Sequence, residues 1–343
     1  FRSISAIITL KIKPGKEVEM RRKVYVTRRL PQPAIDMLEE RFDVEIYPED
    51  RAIPREVLME KVKGIDALLP LLTDKVDAEV MDAAGENLKI IANYAVGYDN
   101  IDVDAATKRK IAVTNTPGVL TETTADMAWA LMFAVARRVV EADKFTRAGK
   151  FKGWGPMMFL GGDVYGKTLG VVGVGRIGSA VAKRAKGFNM RVLYTDVVRN
   201  EEIEKEVGAK KVELDELLRE SDFVTLHVPL MPSTRHLIGE RELKLMKKTA
   251  YLINTSRGPV VDERALVEAL RKGEIAGAGL DVYENEPELS PGLAELDNVV
   301  VTPHIASASV ETRTRMATLA AENIIAFFEG KRPPTIVNPE VLG

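Results

Sequence analysis

Residues 168–178 read TLGVVGVGRIG, and this stretch decides how the rest of the chain is interpreted. Residues 169–172 are apolar and rich in β-branched side chains, which predicts a buried parallel strand. Three glycines follow with G-x-G-x-x-G spacing: Gly173, Gly175 and Gly178. Residues 179–187 then place small and apolar side chains at helical spacing. The stretch therefore predicts a strand, a tight turn and a helix.

Each glycine of this turn has its own physical reason. We expect Gly173 to permit the tight turn and Gly175 to let a phosphate group approach the backbone. We expect Gly178 to let the helix pack closely on the strand. The first-turn amides, including those of Arg176 and Ile177, lack partners within a helix and can bind an anion. The turn therefore predicts a site for the pyrophosphate of a dinucleotide.

An acidic residue lies where such a site needs one. A second predicted strand at 191–195 ends before Asp196, which lies 18 residues after Gly178. A carboxylate about 20 residues beyond the turn accepts hydrogen bonds from the adenine ribose. It also repels a 2′-phosphate, so we expect NAD(H) to be the preferred cofactor. NADP(H) stays an alternative, because the guanidinium of the nearby Arg199 could bind a 2′-phosphate. A glycine-rich turn that binds no ligand is the alternative interpretation of the motif alone.

Composition limits the class of protein. The 343 residues predict two domains of ordinary size, and 45% hydrophobic residues fit a globular α/β protein. The net charge of −2 gives no electrostatic indication of nucleic-acid or anionic-membrane binding, and no apolar run is long enough for a membrane span. With no cysteine and three histidines, we expect no disulfide and no metal site. We expect a cytoplasmic protein, and the 29% charged residues suggest a thermophilic source.

The first residues do not share the pattern of the rest. Residues 16–19, Lys-Glu-Val-Glu, can be encoded by a purine-rich ribosome-binding sequence just before a start codon for Met20. We therefore expect residues 1–19 to be translated upstream sequence that the natural protein lacks. Native material whose mass begins before Met20 would refute this.

From residue 20 onward, strands and helices alternate in two series. The first predicts a small, flavodoxin-like parallel α/β domain with strands at 24–27, 42–47, 67–71, 90–92 and 111–114. The second predicts a doubly wound Rossmann sheet of six strands at 169–172, 192–195, 223–227, 250–254, 276–280 and 299–302. We expect a Rossmann domain at 119–306. We expect a discontinuous substrate-binding domain at 20–118 and 307–343, because a final helix from about 310 to 329 returns to it.

Two further segments stand out in the Rossmann series. Residues 121–138 predict a long apolar helix that bridges the domains, with capping chemistry from residues 121–124. Residues 150–163, KFKGWGPMMFLGGD, are glycine-rich, apolar and irregular. Such a segment is an aggregation hazard unless it is covered. We therefore expect an arm at about 140–165 that packs on a second subunit in a homodimer.

Chemistry-bearing residues follow the last three predicted strands. Arg257 follows one strand, Glu286 lies in the loop after the next, and His304 follows the last. Ligands of open α/β sheets bind beyond the carboxyl ends of strands, so we expect these residues to converge. An arginine can bind a carboxylate, and an imidazolium backed by a carboxylate can donate a proton near neutral pH. Together they predict reduction of a 2-keto acid, although singly each could be a structural residue.

Several ordered segments resemble the D-isomer-specific 2-hydroxyacid dehydrogenases. They are NYAVGYDNIDV, TPGVLTETTADMAWALMFAVARR, GVVGVGRIG, LINTSRGPVVDE, GAGLDVYENEP and TPHIASAS. The resemblance covers residues 20–339, and within the family the archaeal glyoxylate/hydroxypyruvate reductases are most similar. It implies NAD(P)H-dependent reduction of glyoxylate or hydroxypyruvate to glycolate or D-glycerate. In the family's scheme Arg257 binds substrate, His304 is the acid/base, and Glu286 tunes His304.

The resemblance also implies contacts that the spacing alone does not predict. Substrate contacts are implied for Leu71, the backbone N–H groups of Val96 and Gly97, and Trp154 reaching from the arm toward the neighbouring subunit. Asp281 is implied to bind the nicotinamide carboxamide. Other cofactor contacts are implied for Thr124, His227, Val228, Pro229, Thr255, Ser256 and Ala306, beside Arg257 and His304. His236 matches no catalytic position, and we expect it to be structural.

Other functions fit parts of this pattern. A D-3-phosphoglycerate dehydrogenase would need extra cations for the phosphate, and residues 96–99 offer no obvious cluster. A formate dehydrogenase is disfavoured because Glu286 supports the protonated imidazole that carbonyl reduction needs. Another D-2-hydroxyacid dehydrogenase, or a non-enzymatic NAD-sensing protein of the corepressor type, keeps the same fold and stays open.

Overall fold

The computed structural model describes residues 21–343, so the expectation for residues 1–19 lies outside the described residues. The strands are β1 (Lys23–Val26), β2 (Asp43–Ile46), β3 (Ala67–Leu69), β4 (Ile90–Ala92), β5 (Ala112–Thr114), β6 (Thr168–Val172), β7 (Arg191–Thr195), β8 (Lys210–Lys211), β9 (Phe223–Leu226), β10 (Tyr251–Asn254), β11 (Gly277–Leu280) and β12 (Val299–Val301). The helices are α1 (Gln32–Glu39), α2 (Arg55–Lys61), α3 (Ala78–Ala84), α4 (Val103–Lys108), α5 (Thr121–Ala136), α6 (Val139–Arg147), α7 (Arg176–Ala185), α8 (Glu201–Val207), α9 (Leu214–Glu220), α10 (Glu240–Leu245), α11 (Glu263–Lys272) and α12 (Val310–Phe328).

The described chain divides into two compact units. The first comprises residues 21–94, 100–114 and 320–343, and the second comprises Ala95–Asp99 and Asn115–Leu319. The first unit is built on a five-stranded parallel sheet with the order β2-β1-β3-β4-β5. This is the flavodoxin-like order, so the fold predicted for this part of the chain is confirmed.

The second unit is built on a parallel sheet with the order β12-β11-β10-β9-β6-β7-β8. The chain runs outward from β6 through β7 on one side and from β9 to β12 on the other. The strand order therefore reverses between β6 and β9, which confirms the doubly wound Rossmann fold. The prediction of six strands was wrong by one, because β8 has two exposed lysines and no apolar pattern.

Alternate residues of each central strand enter two different cores in this unit. Val171 and Tyr194 pack in one core with apolar residues of α5 and α7. Val172 and Leu193 point the other way, into a core shared with α9, α10 and α11. Because both faces of the sheet are covered, its central strands β6 and β9 are buried along their whole length. The carboxyl ends of the strands are therefore left for polar chemistry.

The structure corrects the predicted start of the long apolar helix. The residue that precedes α5 is Leu120, which makes no side-chain capping hydrogen bond. The expectation that residues 121–124 cap the helix was wrong, because all four lie inside its first turn. Thr123 instead shares a 2.6 Å hydrogen bond between its hydroxyl and that of Thr312. The helix ends at Ala136 rather than at residue 138.

The segment predicted to form an arm is irregular from residue 150 to residue 163. Trp154 is 86% exposed and Met157 is 76% exposed, and Phe151 and Leu160 are exposed as well. Phe159 is held within the unit by an edge-to-face contact with Phe145. The arm thus presents large apolar side chains at the surface of this chain.

Candidate active site

The glycine-rich turn joins β6 to α7 as the spacing predicts. Gly173 has a φ of 88°, which a residue with a Cβ rarely adopts. A Cβ at Gly178 would overlap the carbonyl oxygen of Gly173, so the helix can approach the strand only with glycine there. A Cβ at Gly175 would meet open space. The turn is therefore tight on its inner side and open beside Gly175, Arg176 and Ile177, where a phosphate could approach the amides.

Asp196 lies at the end of β7 and contacts the glycine-rich turn directly. Its Oδ2 accepts a 2.7 Å hydrogen bond from the N–H of Val174, and its Oδ1 accepts one from Val198 at 3.3 Å. Arg199 is turned toward Glu204, with Nη2 to Oε2 at 2.7 Å. The carboxylate therefore sits beside the turn, while the nearby guanidinium is already paired.

His227, Val228 and Pro229 follow β9 at the point where the strand order reverses. A Cβ at Gly173 would lie 2.8 Å from Val228 Cγ1, so this segment packs against the glycine-rich turn. His227 shares a 2.8 Å hydrogen bond between Nε2 and the hydroxyl of Thr225. Desolvation lowers the pKa of His227 to about 3, so its imidazole is neutral at physiological pH.

Arg257 follows β10 in a turn that the side chain of Asn254 organises. Asn254 donates to the carbonyl of Arg257 at 3.0 Å and accepts from the N–H of Ser256 at 3.0 Å. The guanidinium of Arg257 donates through Nε and Nη2 to Asp99 Oδ1, at 3.2 and 3.1 Å. Its direction is thus fixed by groups on both sides.

The loop 95–99 lies against this guanidinium. A Cβ at Gly97 would overlap Arg257 Nη2, so only glycine lets the arginine come this close to the backbone. Val96 is anchored by a 2.7 Å hydrogen bond from Asn115 Nδ2 to its carbonyl. The structure therefore brings together Val96, Gly97 and Arg257, three residues predicted to bind substrate.

His304 follows β12 and pairs with Glu286. Its backbone has a φ of 54°, a left-handed conformation, and its N–H donates to the carbonyl of Asp281 at 2.9 Å. Nδ1 of His304 lies 2.9 Å from Glu286 Oε2. Since a carboxylate accepts, Nδ1 carries the proton, and Nε2 is the nitrogen that can serve a substrate. The structure therefore brings together His304 and Glu286, the two residues predicted to form an acid/base pair.

Opposing effects act on the carboxyl group of Glu286. Desolvation raises its pKa, but the hydrogen bonds from His304 and from the amide of Tyr283, with the charges of His304 and Arg257, outweigh this. The net effect lowers the pKa of Glu286 below its ordinary value. Glu286 is therefore ionised at neutral pH and can stabilise positive charge on the imidazole.

Asp281 is 0% exposed and holds the loop that carries His304. Its Oδ1 accepts from the hydroxyl of Thr302 at 2.5 Å and from the N–H of Ile305 at 2.8 Å. Its Oδ2 accepts from the N–H of Ala306 at 2.7 Å. Three donors satisfy this buried charge, so Asp281 positions the loop that carries His304. Its implied contact with the nicotinamide carboxamide stays a prediction.

The other predicted residues have different surroundings. Thr124 lies in the first turn of α5 and is buried. Thr255 is buried as well, and its hydroxyl has no hydrogen-bond partner among the described residues. Leu71 belongs to the first unit, where its N–H donates to Asp74 Oδ2 at 2.8 Å. The substrate contacts implied for Leu71 and for the exposed Trp154 stay predictions.

The sequence analysis assigned no role to three acidic residues that support the site. Asp99 orients Arg257, and it lies only two residues after the predicted Gly97. Glu263 binds the loop of Glu286 from α11, and no spacing rule connects it to that loop, whereas Glu284 lies in the loop itself, two residues before Glu286. His236, expected to be structural, lies 2.6 Å from Glu284 Oε1 through its Nε2.

Residues 21–343 contain neither a candidate metal-binding cluster nor a candidate membrane-spanning helix. No group of three or more histidine, aspartate or glutamate side chains in this part of the chain could hold a metal ion. None of its helices has the length and the apolar character to cross a membrane.

Comparison with known proteins assigns the family. Residues 129–306 match the family model described as D-isomer specific 2-hydroxyacid dehydrogenase, NAD binding domain. The chain belongs to the D-isomer-specific 2-hydroxyacid dehydrogenase family. It is therefore an oxidoreductase that acts on a CH–OH group and uses a nicotinamide cofactor.

Three similar proteins illustrate the match to this family. A glyoxylate reductase of Thermococcus gammatolerans is 58% identical over 327 residues, which cover 94% of this chain and 98% of the relative. The structure of the TT0316 protein of Thermus thermophilus is 49% identical, has a TM-score of 0.87, and covers 92% of this chain and 99% of its own. An NADPH-dependent glyoxylate/hydroxypyruvate reductase of Sinorhizobium meliloti, solved with NADP and malonate, is 34% identical with a TM-score of 0.82; the match covers 92% of this chain and 97% of that one.

Proposed function

We propose that the chain reduces glyoxylate, and also hydroxypyruvate, to the 2-hydroxy acid with NAD(P)H. The observation that carries the proposal is the His304–Glu286 pair at the same sheet edge as Arg257. The relative from Thermococcus gammatolerans is named a glyoxylate reductase, and the identity of 58% supports the same activity here.

Each of the three residues Arg257, His304 and Glu286 has a separate role in this reaction. A bound nicotinamide cofactor supplies the hydride that reaches C2 of the keto acid. The guanidinium of Arg257 binds the substrate carboxylate, with the amides of Val96 and Gly97 beside it. Nε2 of His304 donates a proton to the carbonyl oxygen as that oxygen gains negative charge. Glu286 stabilises the protonated imidazole before transfer, and the product is the neutral alcohol of a 2-hydroxy acid.

The glycine-rich turn fits a dinucleotide that carries no 2′-phosphate. The open space at Gly175 leaves room for the pyrophosphate, and the carboxylate of Asp196 suits two ribose hydroxyls. Since the carboxylate would repel a 2′-phosphate, we assign NAD(H) as the preferred cofactor. We also assign cofactor contacts to Thr124, Gly173, Arg176, Ile177, Gly178, His227, Val228, Pro229, Thr255, Ser256, Arg257, Asp281, His304 and Ala306.

A substrate panel tests the proposal. The purified chain is assayed for cofactor oxidation with glyoxylate, hydroxypyruvate, pyruvate and 3-phosphohydroxypyruvate, each with NADH and with NADPH. We expect the highest kcat/KM for glyoxylate with NADH. A preference for the phosphorylated substrate would replace the proposal with a phosphoglycerate dehydrogenase. Binding of NADH without turnover of any keto acid would favour a sensing protein.

A homodimer is the state that the arm supports. Trp154, Met157 and Leu160 are large apolar side chains exposed on this chain, and a second copy would cover them. Light scattering after gel filtration should give the mass of two chains. The variant Trp154→Ala should raise KM for the keto acid only if the side chain reaches the neighbouring active site. A monomer with full activity would contradict this assignment.

A further inference from the structure

The turn that carries Glu286 has no core side chain of its own. Tyr283 is buried before it and Leu289 packs on the core after it, but residues 285–288 are exposed. Glu286 nevertheless holds a fixed geometry, with Oε2 at 2.9 Å from His304 Nδ1. Because apolar packing does not fix residues 285–288, something else must hold the turn in place.

The carboxylate of Glu263 accepts hydrogen bonds from both ends of this turn. It is 3% exposed. Its Oε2 accepts from the N–H of Glu284 at 2.7 Å, and its Oε1 accepts from the N–H of Ser290 at 3.0 Å. The residues between these two anchors include Glu286. The carboxylate therefore closes the turn across its base.

At one end of the turn, Glu263 and Glu284 are joined by two hydrogen bonds. Glu284 Oε2 accepts a 3.3 Å hydrogen bond from the N–H of Glu263, so each residue binds the backbone of the other. Glu263 is the first residue of α11, after the N-cap Asp262, whose Oδ1 accepts from Ala265 at 3.0 Å. The helix N-terminus favours the negative charge of Glu263.

Two basic side chains face the carboxylate of Glu284. His236 Nε2 lies 2.6 Å from Glu284 Oε1, and Arg235 Nη2 lies 3.6 Å from the same atom. Backbone amides therefore bind the carboxylate of Glu263, and basic side chains face the carboxylate of Glu284.

We propose that Glu263 is a positioning residue for the acid/base pair. It keeps Glu286 within hydrogen-bond distance of His304 by fixing residues 284 and 290. The inference rests on the proposed function, because it concerns the site that the proposed function uses. Glu263 acts through Glu286, because its own carboxylate oxygens bind the amides of residues 284 and 290.

The main test is Glu263→Gln with a matched control on the same helix. The amide keeps the size of the side chain, but its NH₂ faces a backbone N–H and loses one of the two anchors. We expect kcat to fall about tenfold with little change in KM, and the pH profile of kcat/KM to move toward that of Glu286→Gln. Glu268→Gln, on the exposed side of α11, should change neither.

A double variant separates positioning from general stability. If Glu263 acts through Glu286, adding Glu263→Gln to Glu286→Gln should cost less than about twofold in kcat. A full tenfold loss in that background, or an unchanged pH profile in the single variant, would overturn the proposal. Should Glu263→Gln fail to fold, Glu263→Asp keeps the charge but is too short to reach both amides. It is subject to the same criteria.

A second measurement does not depend on turnover. The chain has three histidines, so the imidazole NMR signals can be assigned by substitution. We expect the Nδ1–H signal of His304 to shift or broaden in Glu263→Gln and to stay unchanged in Glu268→Gln. If the wild type reduced no keto acid, the proposed function would fail while this signal still tested the inference. An unchanged His304 signal in Glu263→Gln would overturn the inference alone.

Discussion

The glycine-rich turn and the loop that carries His304 follow strands of the same sheet, yet they are held in place differently. In the turn, Gly173 and Gly178 pack directly on each other within one short segment. The His304 loop is held by Asp281, which binds residues 302, 305 and 306 from the neighbouring strand end. The glycine-rich turn is therefore held by local contacts, whereas the His304 loop depends on the buried carboxylate of Asp281. A substitution should therefore act differently in the two regions.

The largest effect is expected at the tip of the His304 loop. His304→Ala removes the proton donor, so kcat for glyoxylate reduction should fall by on the order of 10³. The side chain is partly exposed, so the melting temperature should change little. Stopped-flow and steady-state assays with NADH check this. Turnover near the wild-type rate would remove His304 from the mechanism.

The next effect is expected at the base of the same loop. Asp281→Asn places an NH₂ group against donors that a carboxylate now satisfies, at a position that is 0% exposed. We expect a loss of about 3 kcal/mol in the free energy of unfolding, with a lower kcat. Chemical denaturation measures it, and Asp143→Asn, on the exposed face of α6, is the control. Equal stability of the two variants would mean that the loop does not depend on Asp281.

The difference between local and long-range support also determines what could be predicted from the sequence. The turn at 173–178 could be predicted, because its requirements lie within a few neighbouring residues. The two parallel sheets followed from apolar runs at regular spacing, except β8, whose two lysines carry no such signal. Helix α5 was predicted, but its cap was assigned to residues 121–124, which lie inside the first turn, because the sequence pattern does not fix the residue at which a helix begins.

The residues proposed as the acid/base pair could be predicted because each comes after a predicted strand. The residues that hold them could not. Asp99 acts on Arg257, and Glu263 acts on the turn of Glu286, through hydrogen bonds between segments far apart in the chain. Such contacts have no period and no spacing rule, so one sequence does not reveal them.

The third prediction concerns pH. Glu286→Gln removes the charge behind His304, so kcat should fall by on the order of 50-fold and the basic limb of the pH profile should move to lower pH.

The same substitution should change how stability depends on pH, because the pKa of Glu286 is lowered from 4.5 in the folded chain. Its contribution to stability is therefore present above that pH and is lost as pH falls through the lowered value. Thermal unfolding at several pH values should show a steeper acid loss in the wild type than in Glu286→Gln. Identical slopes would contradict the ion pair.

The fourth prediction separates two glycines of the turn. Gly178→Ala forces a Cβ against the carbonyl of Gly173 and should cost about 2 kcal/mol of unfolding free energy. Gly175→Ala places its Cβ in open space, so stability should stay within about 0.5 kcal/mol. The same Cβ would occupy the room of the pyrophosphate, so KM for NADH should rise about tenfold. If Gly175→Ala bound NADH normally, the cofactor would not approach the turn there.

The smallest effect is a change in cofactor preference. Asp196→Asn keeps the shape of the side chain and the acceptor for Val174, but removes the charge that repels a 2′-phosphate. The ratio of kcat/KM for NADPH to that for NADH should rise about tenfold, which corresponds to about 1.4 kcal/mol. Arg199→Ala should change the ratio less than about twofold, because Glu204 already holds this guanidinium. A wild type that prefers NADPH, or an unchanged ratio in Asp196→Asn, would mean that the carboxylate at the turn does not select the cofactor.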